Sequence, residues 1–212
     1  MSIAMYHVLH RRRIKTMAGA CCVLEHNLRK KVSECIEGED GDQTVKIPDY
    51  LDIETMQFNT YVGALSRDEF CVLYQKKIDE AKLERKIQSN ASRIIETVIS
   101  TSHSFCEDWK SNPVSRETIT KYLQDAVEWE TKMHGAMPLS ISFHWDEATP
   151  HAHLLSVPLV SYTDKETNER KIKFSSSEFF GNKGDLIQMH TDFHINVGAK
   201  YGLERGQYGS RA

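Results

Sequence analysis

Between Ile141 and Val160 the chain reads ISFHWDEATPHAHLLSVPLV, and this stretch restricts the fold more tightly than any other. Leu139, Ile141 and Phe143 alternate with Ser140, Ser142 and His144, the two-residue period of a strand with one polar face. The residues from Trp145 to Pro150 make a short connection to a second apolar run, which opens at His151 and His153 and continues through Leu154, Leu155, Val157 and Leu159. Strands joined by so short a link are antiparallel neighbours. His144 then closes one strand beside the start of the next, where His151 and His153 share a face. Alternate strand residues lie about 6–7 Å apart, two steps of ~3.3 Å, so the imidazoles can converge on one ion. Three neutral nitrogen ligands leave coordination positions open, as in a catalytic rather than a structural metal site. Against this, 10 histidines in 212 residues cluster readily by chance, and an HxH pair alone is more often a surface strand. The third histidine, at the same end of the hairpin, favours the metal site.

Around the hairpin, residue periodicity predicts alternating helices and strands. Ile3–Leu9 reads as a first strand. Met17–Lys30 reads as a helix with Met17, Cys21, Leu24 and Leu28 on its apolar stripe. His26 lies off that stripe, with Cys22 four residues before it and Arg29 three after, both on its side. Ser66 and Glu69 have the spacing of a capping box opening a helix to about Gln88. Ile94–Thr101 is a β-branched strand. Pro113 and Ser115 precede a helix whose Ile119, Tyr122, Leu123, Ala126 and Val127 form a stripe and which Gly135 stops. Leu159–Thr163 and Arg170–Phe174 read as a hairpin, and Lys183–Lys200 as the last helix before Gly202. This order predicts an α+β fold, an antiparallel β-sheet backed by helices. The length suits a single domain over 1–212 with a sizeable core.

No run of 18 apolar residues is present, so no membrane span is expected, and MSIAMYHVLHRRR lacks the apolar stretch of a secretory signal. The cysteines (Cys21, Cys22, Cys35, Cys71, Cys106) form no paired CxxC pattern. Reduced thiols in a cytoplasmic protein follow. A net charge of -3 is not that of a purely electrostatic DNA binder, but the charge is uneven. Met1–Lys31 carries seven basic residues against Glu25 alone, and Ser33–Glu54 carries eight acids against Lys46. Arg11, Arg12, Arg13, Lys15 and Lys30 form a basic patch able to track a phosphate backbone; the alternative is a solvated surface. The acidic GEDGDQTVKIPDYLD reads as a surface loop.

HWDEATPHAH resembles the HxDExxPHxH signature of the Mob/Pre plasmid mobilisation relaxases, a branch of the HUH endonucleases. His144, Asp146, Glu147, Pro150, His151 and His153 occupy every fixed position. His26-Asn27-Leu28-Arg29 looks like that family's HNxR motif, which supplies a nucleophilic histidine, and TDFHINVGAKYGLERG resembles the end of the relaxase domain. The resemblance implies an HUH relaxase-like sheet and a DNA relaxase that nicks one strand at an origin of transfer. It also implies covalent attachment to the cut DNA, initiating plasmid or mobile-element mobilisation. The implied partner is origin DNA, single-stranded or hairpin. Family members carry a further C-terminal region, which implies a catalytic domain cut from a longer protein, with any homodimer formed through a region outside this chain. Asn59 in QFNTYVGAL resembles another asparagine segment of the family and is a candidate DNA contact. There the chain departs from the family, with Glu54-Thr55 where a basic residue is usual.

The chemistry can be assembled from these residues. A divalent ion on His144, His151 and His153 would neutralise charge on a scissile phosphate and fix its geometry. Three imidazoles favour Zn, Ni, Cu or Fe over Mg by softness. The resemblance implies Mn2+ or Mg2+, and Mn2+ is the expected cofactor. Because the ligands must be neutral, binding is expected to fail below about pH 6. One of Asp146 and Glu147 could accept the spare N–H of a ligand histidine, and Asp146 is the candidate; solvation and turn chemistry at a loop tip are the alternative for it. Glu147 is placed to hydrogen-bond the nucleophile and manage its proton. His26 would attack phosphorus through a neutral ring nitrogen, giving a phosphoramidate. Arg29 would lower the His26 pKa or clamp the phosphate. Tyr6 and Tyr61 are alternative nucleophiles, since related relaxases outside the family use tyrosine. Trp145 is the candidate base-stacking platform, while Trp109 and Trp129 are expected in the core. His190 and His194 stand at i, i+4 with no third ligand in view, which favours a surface or capping role. From the residues alone, a metal-dependent hydrolase of small substrates and a non-catalytic DNA-binding module remain open.

Overall fold

The computed structural model describes residues 5–32, 47–134 and 138–206. Five strands form one sheet: β1 (His7–Ile14), β2 (Thr60–Gly63), β3 (Ile94–Thr101), β4 (Ser140–His144) and β5 (His151–Ser156). Their spatial order is β1-β3-β5-β4-β2, and every neighbouring pair is antiparallel. A separate hairpin joins β6 (Leu159–Thr163) to β7 (Arg170–Phe174). The helices are α1 (Met17–Asn27), α2 (Ile53–Met56), α3 (Arg67–Glu80), α4 (Pro113–His134), α5 (Ser176–Phe180) and α6 (Lys183–Asn196). This is the expected α+β sheet backed by helices.

The two faces of the sheet bury different helices. Leu9, Ile99, Ile141 and Leu154 pack with Ile119, Tyr122, Leu123 and Ala126 of α4 and with Met189 and Phe193 of α6. Ile94 and Leu155 face the other way, onto Ala20, Cys21 and Leu24 of α1 and Phe70 and Tyr74 of α3. Each fully buried aliphatic or aromatic side chain contributes roughly 1.5–3 kcal/mol. The double packing is what holds the central β4–β5 hairpin rigid. The start signal expected at Ser66 is present, its side chain accepting from the Glu69 amide, and two further caps join it: Thr16 accepts from the Gly19 amide, and Asn182 with Asp185 makes a capping box.

Four boundaries differ from expectation. β1 begins at His7 rather than Ile3 and runs to Ile14, because its whole length pairs with β3, from His7 opposite Thr101 to Ile14 opposite Ile94. Residues 1–4 lie outside the described residues, as do 33–46, which hold most of the acidic stretch. Arg11, Arg12 and Arg13 are therefore strand residues that alternate between the two faces, not a basic tail. α1 stops at Asn27, three residues early, because Arg29 takes a left-handed turn (φ 56°). α3 ends at Glu80 instead of Gln88, with Lys82 also left-handed (φ 46°). α6 ends at Asn196, and a 3-10 turn over Gly198–Tyr201 leads to Gly202, whose φ of 69° is the expected stop.

Candidate metal centre

β4 and β5 pair so that His144 stands directly opposite His151, and His153 directly opposite Ser142. Directly opposed antiparallel residues share a face, so all three imidazoles project from the same side of the sheet. Their ring centroids lie 4.9–5.0 Å apart, and one nitrogen or other of each ring falls within 4.8 Å of those of its neighbours. His144 Nδ1 and His151 Nε2 are 3.3 Å apart.

The second nitrogen of each ring decides whether an ion fits. His144 Nε2 lies 2.7 Å from the Asn27 carbonyl, His151 Nδ1 2.8 Å from the Thr149 carbonyl, and His153 Nδ1 2.8 Å from Glu96 Oε1. All three partners are acceptors, so each of these nitrogens carries the hydrogen and donates it. The lone pairs are left on His144 Nδ1, His151 Nε2 and His153 Nε2. This is the outer-shell arrangement that fixes tautomers for a transition ion. An Arg29 terminal nitrogen lies 3.2 Å from His144 Nδ1 and donates to it while no ion is bound. Burial, reinforced by the Arg29 charge, pushes the His144 pKa down to about 2, and burial also lowers that of His151. His144 therefore stays neutral well below its ordinary range, and His151 below its own.

Glu96 escaped sequence reasoning. It is 1% exposed on β3, takes the His153 N–H on Oε1, and is ion-paired through Oε2 to Arg12 on β1. Burial would raise its pKa, but His153 and Arg12 outweigh that and lower it to about 2. A signal existed: Glu96 is the one charge in IIETVIST, an otherwise buried strand. The two backbone carbonyls left no such trace.

The left-handed turn at the end of α1 sends Arg29 into the site, where its side chain is 1% exposed. Nε and one terminal nitrogen donate side-on to Asp146, both at 2.8 Å, and that same nitrogen donates to Glu147 Oε1 at 2.6 Å. Burial would lower the Arg29 pKa, but the two carboxylates outweigh it and raise it. Arg29 is thus an internal clamp rather than a neighbour one turn along the helix from His26. Its second terminal nitrogen is buried without a hydrogen bond. Asp146 holds Arg29 and Asn59 Nδ2, the latter at 2.7 Å, instead of a histidine N–H. Asn59 Oδ1 in turn accepts from the Trp145 amide at 2.7 Å. Both ends of the Asn59 side chain are committed to the β4–β5 loop. Trp145 is corrected: it is 5% exposed and packs on Trp109 at 5.1 Å. Trp109 and Trp129 are core residues as expected.

His26 is exposed on the last turn of α1. Partial burial of its ring lowers its pKa, the Arg29 and His153 charges lower it further, and Glu147 and Glu96 oppose them. His26 is therefore within electrostatic reach of Arg29, His153, Glu147 and Glu96. The Tyr61 ring lies 6.5 Å from that of His144 on the same face, whereas Tyr6 hydrogen-bonds through its backbone to Ser102 ahead of β1. Of the basic patch, Arg11 turns to the opposite face, where its side chain is 4% exposed and bonded to Glu130 of α4. That burial removes it from any phosphate path. Arg12 is half exposed, Arg13 lies over the Phe180 ring at 4.3 Å, Lys15 is exposed and Lys30 is partly buried. His190 and His194 meet a third histidine after all: His7 of β1 stacks against both, at 6.2 and 6.0 Å.

The site is thus an antiparallel sheet whose central hairpin gathers three histidines, with the end of a helix laid against them. The chain belongs to the plasmid recombination enzyme family (Mob_Pre), whose sequence pattern matches residues 53–212. It is 26% identical over 208 residues to the plasmid recombination enzyme type 1 of Staphylococcus aureus, covering 95% of this chain and 44% of that protein. The chain thus spans less than half the length of this relative. Among solved structures it resembles the MobM relaxase domain bound to plasmid pMV158 oriT DNA with Mn, at pH 6.8. That similarity has a TM-score of 0.68 at 21% identity, over 98% of this chain and 93% of the other. A Mn-bound MobM structure at pH 4.6 matches with a TM-score of 0.66 at 22% identity, over 98% and 94% of the two chains. Among the described residues, no helix is long and apolar enough to cross a membrane.

Proposed function

We propose that this chain is a relaxase domain over 1–212 that nicks one DNA strand at an origin of transfer and stays covalently attached to it. The observation that carries this reading is the convergence of three hairpin histidines, with the end of the His26 helix held against them through the Asn27 carbonyl and Arg29. Origin DNA and Mn2+ are the partner and cofactor by analogy with the MobM domain, and the cytoplasm is where such DNA is met.

His144, His151 and His153 would hold the ion, which when bound supplies charge neutralisation at the scissile phosphate. His26 attacks phosphorus through a neutral ring nitrogen; a nitrogen–phosphorus bond forms, the bond to the leaving sugar oxygen breaks, and that oxygen takes a proton. The lowered His26 pKa keeps the nucleophile unprotonated at neutral pH. Glu147 sits at the same site with one oxygen tied to Arg29 and manages the proton. Arg29 locks the loop that carries Asp146 and Glu147 to the end of the nucleophile's helix. Arg12, Arg13, Lys15 and Lys30 are left to meet phosphates, Arg12 while it also holds Glu96.

Denaturing electrophoresis of origin DNA with Mn2+, before and after protease, tests the assignment. His26→Ala should keep Mn2+ affinity near wild type and lose both strand cleavage and the protease-sensitive adduct. The wild-type adduct should be acid-labile, as a phosphorus–nitrogen bond is. An acid-stable adduct that survives in His26→Ala and disappears in Tyr61→Phe would move the nucleophile to tyrosine.

A further inference from the structure

Away from the metal centre, two cysteines meet across the packing of α1 on α3. Cys21 Sγ lies 3.9 Å from Cys71 Sγ, although the residues are 50 apart in sequence. Cys21 is 3% exposed among Leu24, Phe70 and Tyr74, whereas Cys71 is exposed at the edge of the same contact. An ion pair between Arg67 and Glu25, at 2.9 Å, joins the same two helices and holds the thiols in register. Cys22 is exposed, and with His26 and Arg29 it lines a cavity of about 260 Å³. Cys106 is buried in the other core.

We propose that Cys21 and Cys71 are a reversible oxidation site that takes a peroxide and closes to a disulfide tying α1 to α3. The exposure of the two thiols gives the order of events. Cys71 is open to solvent and is oxidised first: its sulfur attacks one peroxide oxygen, the O–O bond breaks, water leaves and a sulfenic acid remains. Burial, reinforced by the Cys71 contact, raises the Cys21 pKa to about 11, so Cys21 is a poor first target. Once Cys71 carries the oxygen, Cys21 is the thiol within reach. Its sulfur attacks the sulfenyl sulfur, the S–O bond breaks, a second water leaves and the disulfide is complete. The net change is two thiols and one hydrogen peroxide to one disulfide and two waters. A disulfide spans ~2.05 Å, so rotation of the two side chains and a small approach of the helices must close the 3.9 Å gap. The bond would constrain the helix that carries His26 and leads into Asn27 and Arg29. Its formation does not depend on the nicking reaction, so the two readings can fail separately.

The test treats the intact protein with a small excess of hydrogen peroxide, alkylates the remaining thiols and maps the peptides by mass. The expected product is a Cys21–Cys71 linked peptide, formed at equal yield on dilution and returned to free thiols by dithiothreitol, with Cys22 and Cys106 still alkylated. Closing a loop of this length should also raise the melting temperature by several degrees, reversibly. Cys71→Ser, a change at an exposed position, should abolish both the linked peptide and the thermal shift. The proposal is overturned if Cys71 runs on to sulfinic acid with Cys21 still free. A link from Cys71 to Cys22 or Cys35, or an unchanged thermal shift in Cys71→Ser, would overturn it as well.

Discussion

Two groups of three histidines sit in this protein, on opposite faces of one sheet, and only one of them is arranged to hold an ion. His144, His151 and His153 have centroids 4.9–5.0 Å apart, with ring planes crossing at 51–89°. Each has a committed acceptor on its second nitrogen. His7 lies 6.2 and 6.0 Å from His190 and His194 with planes nearly parallel, at 19° and 24°. Stacked rings aim their lone pairs side by side rather than at one point. Neither His7 ring nitrogen makes a hydrogen bond of ordinary geometry, and the charge of Arg205 faces both His7 and His190. Histidine count is alike in the two places, although the rings of the second stand further apart. Convergent lone pairs and tautomer-fixing acceptors separate them.

The comparison breaks most sharply at the ligands themselves. His153→Ala removes one of three donors and should take Mn2+ binding below calorimetric detection, while His190→Ala should leave it at the wild-type value. A loss in both variants, or in neither, would erase the distinction.

A second test is stability against pH. Burial, with the charges of His190, His194 and Arg205, lowers the His7 pKa from 6.5 to about 4. The unfolded chain therefore binds a proton that the folded one resists, and stability falls as pH drops from about 6.5 through 4. The shift corresponds to about 3 kcal/mol at its limit. His7→Phe should lessen the pH slope of denaturant-derived stability across that window, the buried His144 and His151 supplying part of what remains. An unchanged pH slope would mean that His7 does not carry the penalty.

Smaller effects probe the acceptors. Glu96→Gln keeps the shape but loses the charge, and should weaken Mn2+ binding about 10–100-fold. Arg12→Ala acts one step further out and should weaken it less. Equal affinities in wild type and Glu96→Gln would show that His153 is oriented without the carboxylate.

Legibility followed the same division. The β4–β5 hairpin was readable because alternation and a short link are local, and its register then places all three ligands without further information. Most helix starts were readable for the same reason. The supports were not. Asn27 contributes a carbonyl, which any residue has. Arg29 reaches Asp146 because a left-handed backbone ends α1, whereas its sequence spacing continued the helix past His26. Arg11 looked like one more member of a basic run until pairing with β3 fixed which face it takes, and there Glu130 waits, 119 residues away. His7 was missed as the third member of the second cluster because it comes from the far edge of the sheet. Side chains set by long-range pairing, rather than by periodicity, were the ones read wrongly or not at all.

The most direct measurement is diffraction at the manganese absorption edge from crystals of this protein grown with Mn2+. The account predicts one anomalous peak on this chain, within bonding distance of His144 Nδ1, His151 Nε2 and His153 Nε2, and none beside His7, His190 and His194. A peak in the second cluster, or an ion bound through the nitrogens here assigned to Asn27, Thr149 and Glu96, would contradict it.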